Sequence, residues 1–165
     1  MSAKVITFNL SRSSIDHALR ELADYQKWLN EKTKELVKAL GDYGVQQANI
    51  HFASAMYDGD RDVHCQVQGS GDKACQVVAT GKDVLFIEFG TGIMYGGSHP
   101  EATAEVARGS WSLGPEGKGH WDDPNGWYYA HGKKSYGNPA NMPMYEAKRD
   151  IEAHFEEIAR RVFSS

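Results

Sequence analysis

The nine residues Val84-Leu85-Phe86-Ile87-Glu88-Phe89-Gly90-Thr91-Gly92 set the strongest condition on how this chain folds. Five apolar side chains surround a single carboxylate, and nothing else in the sequence is as apolar over so short a span. Such a run needs a core to enter, so it is expected at the centre of the fold. Gly90 and Gly92 can adopt φ > 0, which turns the backbone sharply as it leaves that core. Glu88 is expected to point outward from a half-buried segment, because charges avoid full burial. A buried, functional Glu88 is the alternative.

A chain of 165 residues fits one domain, 1–165, which buries roughly 70% of its unfolded surface and needs no staple. Its 18 basic and 22 acidic residues give a net charge of -4, which argues against affinity for nucleic-acid phosphates. No apolar run approaches the ~20 residues of a membrane span, and Met1-Ser2-Ala3-Lys4 does not open a signal peptide, so the expected compartment is the cytoplasm. Two cysteines do not make a disulfide framework.

From the start, Ile6, Phe8 and Leu10 alternate with Val5, Thr7 and Asn9, the pattern of a short half-buried strand. Ser13 with Asp16 reads as a helix start of the capping-box type. Ile15, Leu19, Leu22, Leu29, Leu36 and Leu40 then form one helical stripe opposite a mixed-charge face. Gly41 and Gly44 offer a stop, after which residues 45–57 would be a strand. The row Leu36, Leu40, Gly44, Ala48 and Phe52 instead favours continued helix, with small residues where another element approaches. An unbroken helix to Ala53 would run roughly 60 Å, so it either breaks near Asn30 or Gly41 or protrudes and needs a partner. Val63, Cys65 and Val67 and then Cys75, Val77 and Ala79 predict an antiparallel hairpin. Pairing Gln68 with Asp72 through a three-residue loop would set Cys65 opposite Cys75, both reduced.

Beyond Gly92, residues 93–126 hold seven of the 17 glycines and little periodicity, a long Gly-rich loop with Trp111 and Trp121 in it. Trp111, Trp121 and Trp127 are candidate interface anchors. Trp127-Tyr128-Tyr129-Ala130-His131 reads as a strand re-entering the sheet, followed by a Gly-Lys-Lys-Ser turn. Asn141 is the expected N-cap of a final helix with Pro143 in its first turn and Met144, Ala147, Ile151, Phe155, Ile158 and Val162 inward. The fold class is α+β: a long N-terminal helix, a small mostly antiparallel sheet, the Gly-rich loop, and a C-terminal amphipathic helix packed on the sheet.

Chemistry is sparse. His99, His120, Asp122, Asp123 and His131 are of metal-ligating type but have no recognised ligand spacing. Asp58, Asp60 and Asp62 begin like a calcium loop and then fail at Val63 and Gly69. No serine or cysteine sits in a nucleophile elbow, and no phosphate loop is complete. The expectation is no enzyme, no cofactor and no metal. The aromatics Trp111, Trp121, Trp127, Tyr128 and Tyr129 suit an interface or a core better than a sugar platform.

The run ending in Glu88-Phe89-Gly90-Thr91 resembles the hydrophobic–Glu–Phe–Gly–Thr signature of the tail-completion family of long-tailed bacteriophages. The late Tyr136-Gly137-Asn138-Pro139-Ala140-Asn141-Met142-Pro143-Met144 lead into a final helix is similar to that family too, as is the order of leading helix, turn and two strands. The resemblance implies a six-fold homohexameric ring in the virion neck, assembled in the host cytoplasm and coaxial with the channel through which DNA leaves the head. It implies as partners the head–tail connector or stopper and the tail tube or tail terminator, with double-stranded DNA passing through the lumen unbound, and no membrane. Phe86, Ile87, Glu88, Phe89, Gly90, Thr91 and Gly92 carry over as structural residues. Rival readings are a tail terminator ring, a metal-dependent hydrolase using His99, His120, Asp122 and His131, and a cell-wall sugar-binding module.

Overall fold

The computed structural model describes residues 5–57, 59, 61–69, 71–90, 99–101, 127–128, 134–135 and 137–164. The fold is α+β, with helices α1 (Arg12–Ser54), α2 (Val84–Phe89) and α3 (Pro143–Ser164). The antiparallel hairpin of β1 (His64–Gln68) and β2 (Gln76–Thr80) lies against α1, and a second hairpin joins β3 (Trp127–Tyr128) to β4 (Lys134–Ser135).

α1 is one unbroken helix of 43 residues, so about 65 Å long. It starts two residues before the expected cap: Ser11, not Ser13, accepts the N–H of Ser14. Its last carbonyls are met by Arg61, which donates to Ala53 O at 2.5 Å and to Ala55 O at 3.1 Å. Each interior glycine costs a helix about 1 kcal/mol, yet Gly41 and Gly44 do not break this one. The space they leave is filled by other elements. A Cβ on Gly44 would stand 2.8 Å from Ile151 Cδ1 and 2.9 Å from Val77 Cγ2, and one on Gly41 would stand 2.9 Å from Cys75 Sγ. The small residues therefore let both α3 and the hairpin approach α1. Gly41, Gly44, Ala48 and Phe52 are its buried residues.

α3 runs antiparallel along α1. His51 Nε2 meets Asp150 Oδ2 at 2.7 Å, the Tyr43 hydroxyl meets His154 Nδ1 at 3.0 Å, and Trp28 meets Phe163 edge-on at 5.8 Å between centroids. Ala147, Ile158 and Val162 are buried as its stripe predicts, whereas Phe155 is 45% exposed. The core joins Phe52 and Ala55 to Ile87, with Val63, Cys65, Ala79, Val84 and Met144 packed around them.

Three sequence expectations are corrected. Residues 5–9 form no strand; their alternation has no ladder among the described residues, and Phe8 is exposed. Trp127–Tyr128 pairs with Lys134–Ser135, so it does not rejoin the first hairpin, and Lys134–Ser135 is strand where a turn was expected. The first hairpin has Cys65 opposite Ala79 and Gln68 opposite Gln76, four residues from the expected register. A slip by an even number leaves the same side chains on the same face, so hydrophobic alternation cannot detect it. Cys75 lies outside the ladder and donates its thiol to Val37 O at 3.4 Å. Both cysteines are free. Four residues of strand separate them by roughly 13 Å along the chain direction, beyond the ~7 Å limit for bridging Cα atoms. Mild oxidation of the native protein is thus expected to leave two titratable thiols and no Cys65–Cys75 bridge on a peptide map; a bridged peptide in high yield would reject this register.

Candidate functional site

α2 lies beside the lead into α3 through backbone pairing of two short stretches. Asn141 N–H donates to Ile87 O and Met142 N–H donates to Glu88 O, both at 3.0 Å. Gly90 lies under this junction with φ 71° and ψ 178°. A Cβ there would stand 2.6 Å from Ala140 N, 2.7 Å from Asn138 O and 2.9 Å from the Pro139 carbonyl carbon, all backbone atoms. The glycine is needed for both its conformation and its size. Of the five apolar residues in the run only Ile87 is fully buried, and Leu85 is exposed, because a helix turns successive side chains about 100° apart.

Glu88 is buried, at 7% exposure, which overturns the outward orientation expected of it. Its Oε2 accepts the N–H of Met144 at 2.9 Å and its Oε1 that of Tyr145 at 3.3 Å. These are two of the orphan donors in the first turn of α3, so the carboxylate caps that helix from another element and sits at the positive end of its dipole. Asn141 is not the N-cap. Its side chain ties the lead to the end of α1 instead, accepting from Met56 N–H at 2.8 Å and donating to Met56 O at 3.2 Å and Pro139 O at 2.9 Å. Met142 takes a positive φ of 50°, rare for a side chain of this size. It is held by its bond to Glu88 O and by Glu146 N–H, which donates to its carbonyl at 3.0 Å.

Burial pushes the Glu88 carboxyl above its ordinary range, against the two N–H groups of Met144 and Tyr145 and the charge of nearby His99, which pull it down. The folded protein therefore holds this proton more tightly than the unfolded chain does. That contribution to stability is present in full below the ordinary carboxyl pKa and is lost as pH rises through the raised folded value. A carbon-13 titration of the Glu88 carboxyl is expected to give a midpoint above that of an ordinary glutamate. A midpoint at or below it would mean that the helix N–H groups outweigh burial.

His99 closes the outer side of the joint. Its Nε2 lies 2.6 Å from Glu146 Oε1, its N–H donates to Ala140 O at 2.7 Å, and its ring meets Tyr145 at 5.7 Å. Phe86 and Phe89 are half-buried and Gly90 is buried. Thr91, Gly92, Trp111, Trp121, His120, Asp122, Asp123 and His131 lie outside the described residues, as do Asp58 and Asp60, the side chain of Trp127 and most of the 93–126 loop. Among the described residues no group of three or more His, Cys, Asp or Glu side chains is arranged to hold a metal, and no buried polar side-chain atom lacks a partner. An apolar cleft of about 410 Å³ separates α1, the first hairpin and α3, lined by Leu40, Cys75, Val77 and Ile151 with Lys73 and Lys148 among its lining.

Sequence reasoning reached the two stretches separately and missed that they meet. The sequence pointed away from it, because Asn141 is a strong N-cap type and already offered a local acceptor for the first N–H groups. The signal that was present is Glu88 itself, a lone carboxylate in an otherwise apolar run. No described helix is long and apolar enough to cross a membrane. Compared with protein-family models, with curated proteins and with solved structures, the chain matches none.

Proposed function

We propose that this chain is a structural subunit of a bacteriophage neck, a tail-completion protein that joins head to tail as a ring of identical copies around the DNA channel. The observation that carries the reading is the use made of Glu88. The carboxylate in the Glu-Phe-Gly run spends both oxygens on the first turn of α3, in contact with the Asn138–Met144 stretch. The two sequence stretches that resemble the family thus support each other as architecture, with Glu88 committed to holding them together. A net charge of -4 suits a lumen that DNA must traverse without sticking. The expected partners are further copies of the chain, a connector or stopper on the head side, and the tail tube or terminator below.

Electron cryomicroscopy of particles from a phage lacking the protein tests this. Tails of normal length that fail to join heads are expected. Overlong tails would make it the terminator instead, and finding the chain anywhere but the collar of an intact virion would overturn both.

A further inference from the structure

α3 ends beside Trp28, where Phe163 meets the indole. Residues 12–27 of α1 run on past that point, roughly 24 Å of helix. On this stretch and just beyond it Leu19, Leu22, Tyr25 and Leu29 are each more than a third exposed, and Phe8 of the preceding segment is 61% exposed. Ile6 and Phe8 lie along the same side and, with Ile15, Ala18, Leu19 and Leu22, line an apolar groove of about 260 Å³. We propose that this side of α1, left open by the described residues, is a self-association surface, on which a second copy of the chain seats its own residues 8–29.

Three observations select a second copy as the occupant. Ile15, Leu22 and Leu29 recur every seven residues, the period that keeps one seam facing another helix along its length. Arg12, Arg20 and Lys27 balance Asp16, Glu21 and Asp24, so this stretch is neutral within a chain of net charge -4. Identical copies meet with less self-repulsion here than they would over the chain at large. The area also fits. At their observed exposures the five large side chains leave roughly 400 Å² open, taking on the order of 150 Å² for each when free. A standard interface buries about 800 Å² per partner, somewhat over half of it apolar, so the patch supplies the apolar share of one such contact.

This deepens the ring reading and rests on it for why copies should meet; the two fail separately. Sedimentation equilibrium of the full chain over a broad concentration range is expected to show reversible association. Leu22→Glu, an exposed site where glutamate is a good helix former, is expected to raise the dissociation constant at least ~30-fold with unchanged circular dichroism. Glu31→Gln on the polar face should leave it unchanged. A monomer at every concentration would overturn the proposal. Association that Leu22→Glu leaves within twofold would overturn it while sparing the ring. Seam-dependent association that closes at two copies would support it and count against the six-fold ring.

Discussion

Gly90→Ala is expected to be the most damaging single-methyl change in the described part of the protein, costing about 4 kcal/mol, a large share of the ~5–15 kcal/mol that holds a typical domain together. Two costs add. With φ 71° and ψ 178°, Gly90 occupies a region that is essentially closed to other residues and worth ~1–3 kcal/mol of strain. The added Cβ would also stand within 2.9 Å of three backbone atoms of residues 138–140, and overpacking of that kind costs a further ~1–3 kcal/mol. A side-chain tip can rotate away, as Ile151 Cδ1 can from Gly44; a buried Asn-Pro-Ala backbone has nowhere to go. The loss should appear as a lower midpoint in urea with the slope preserved. A shift worth less than ~1 kcal/mol would mean that the 138–140 segment is not seated against Gly90.

The second large effect is expected at Glu88. Glu88→Ala strips the acceptor from the part-buried N–H groups of Met144 and Tyr145, and an unsatisfied donor away from water costs ~1–3 kcal/mol. Two of them predict a loss of about 3 kcal/mol, a large part of the ~5–15 kcal/mol that holds a typical domain together. Glu88→Gln keeps one acceptor oxygen but turns an amide N–H₂ toward the other donor, so it should recover roughly half. The damage should be local as well as global: amide hydrogens of Met144 and Tyr145 are expected to lose protection from exchange well before those near Ile158. Uniform loss along α3, or none, would show that the first turn does not depend on this carboxylate.

Much of the architecture was legible because it follows from periodicity, a property the chain carries locally. The i, i+4 row Leu36, Leu40, Gly44, Ala48 and Phe52 announced both a helix that continues through two glycines and the face that others approach, and Gly44, Ala48 and Phe52 are buried there. The alternation of Val63 to Val67 and Val77 to Ala79 announced a hairpin and its inner face. The stripe of α3 was legible too, apart from Phe155. Alternation at Val5 to Leu10 misled, since a strand exists only when a second strand accepts its hydrogen bonds, and periodicity says nothing about partners.

What the amino-acid sequence determined by itself is which residues want burial and on which face of which element, because side-chain direction follows from φ and ψ one residue at a time. What only the tertiary structure decided is which distant groups meet. Cys65 faces Ala79 and not Cys75 because even registers are degenerate to hydrophobic patterning. Glu88 points inward because the first turn of α3, 56 positions along the chain from it, has N–H groups that nothing local satisfies. Burying a carboxylate is unfavourable until such donors surround it, and the donors belong to a helix whose position no stretch of sequence around Glu88 encodes.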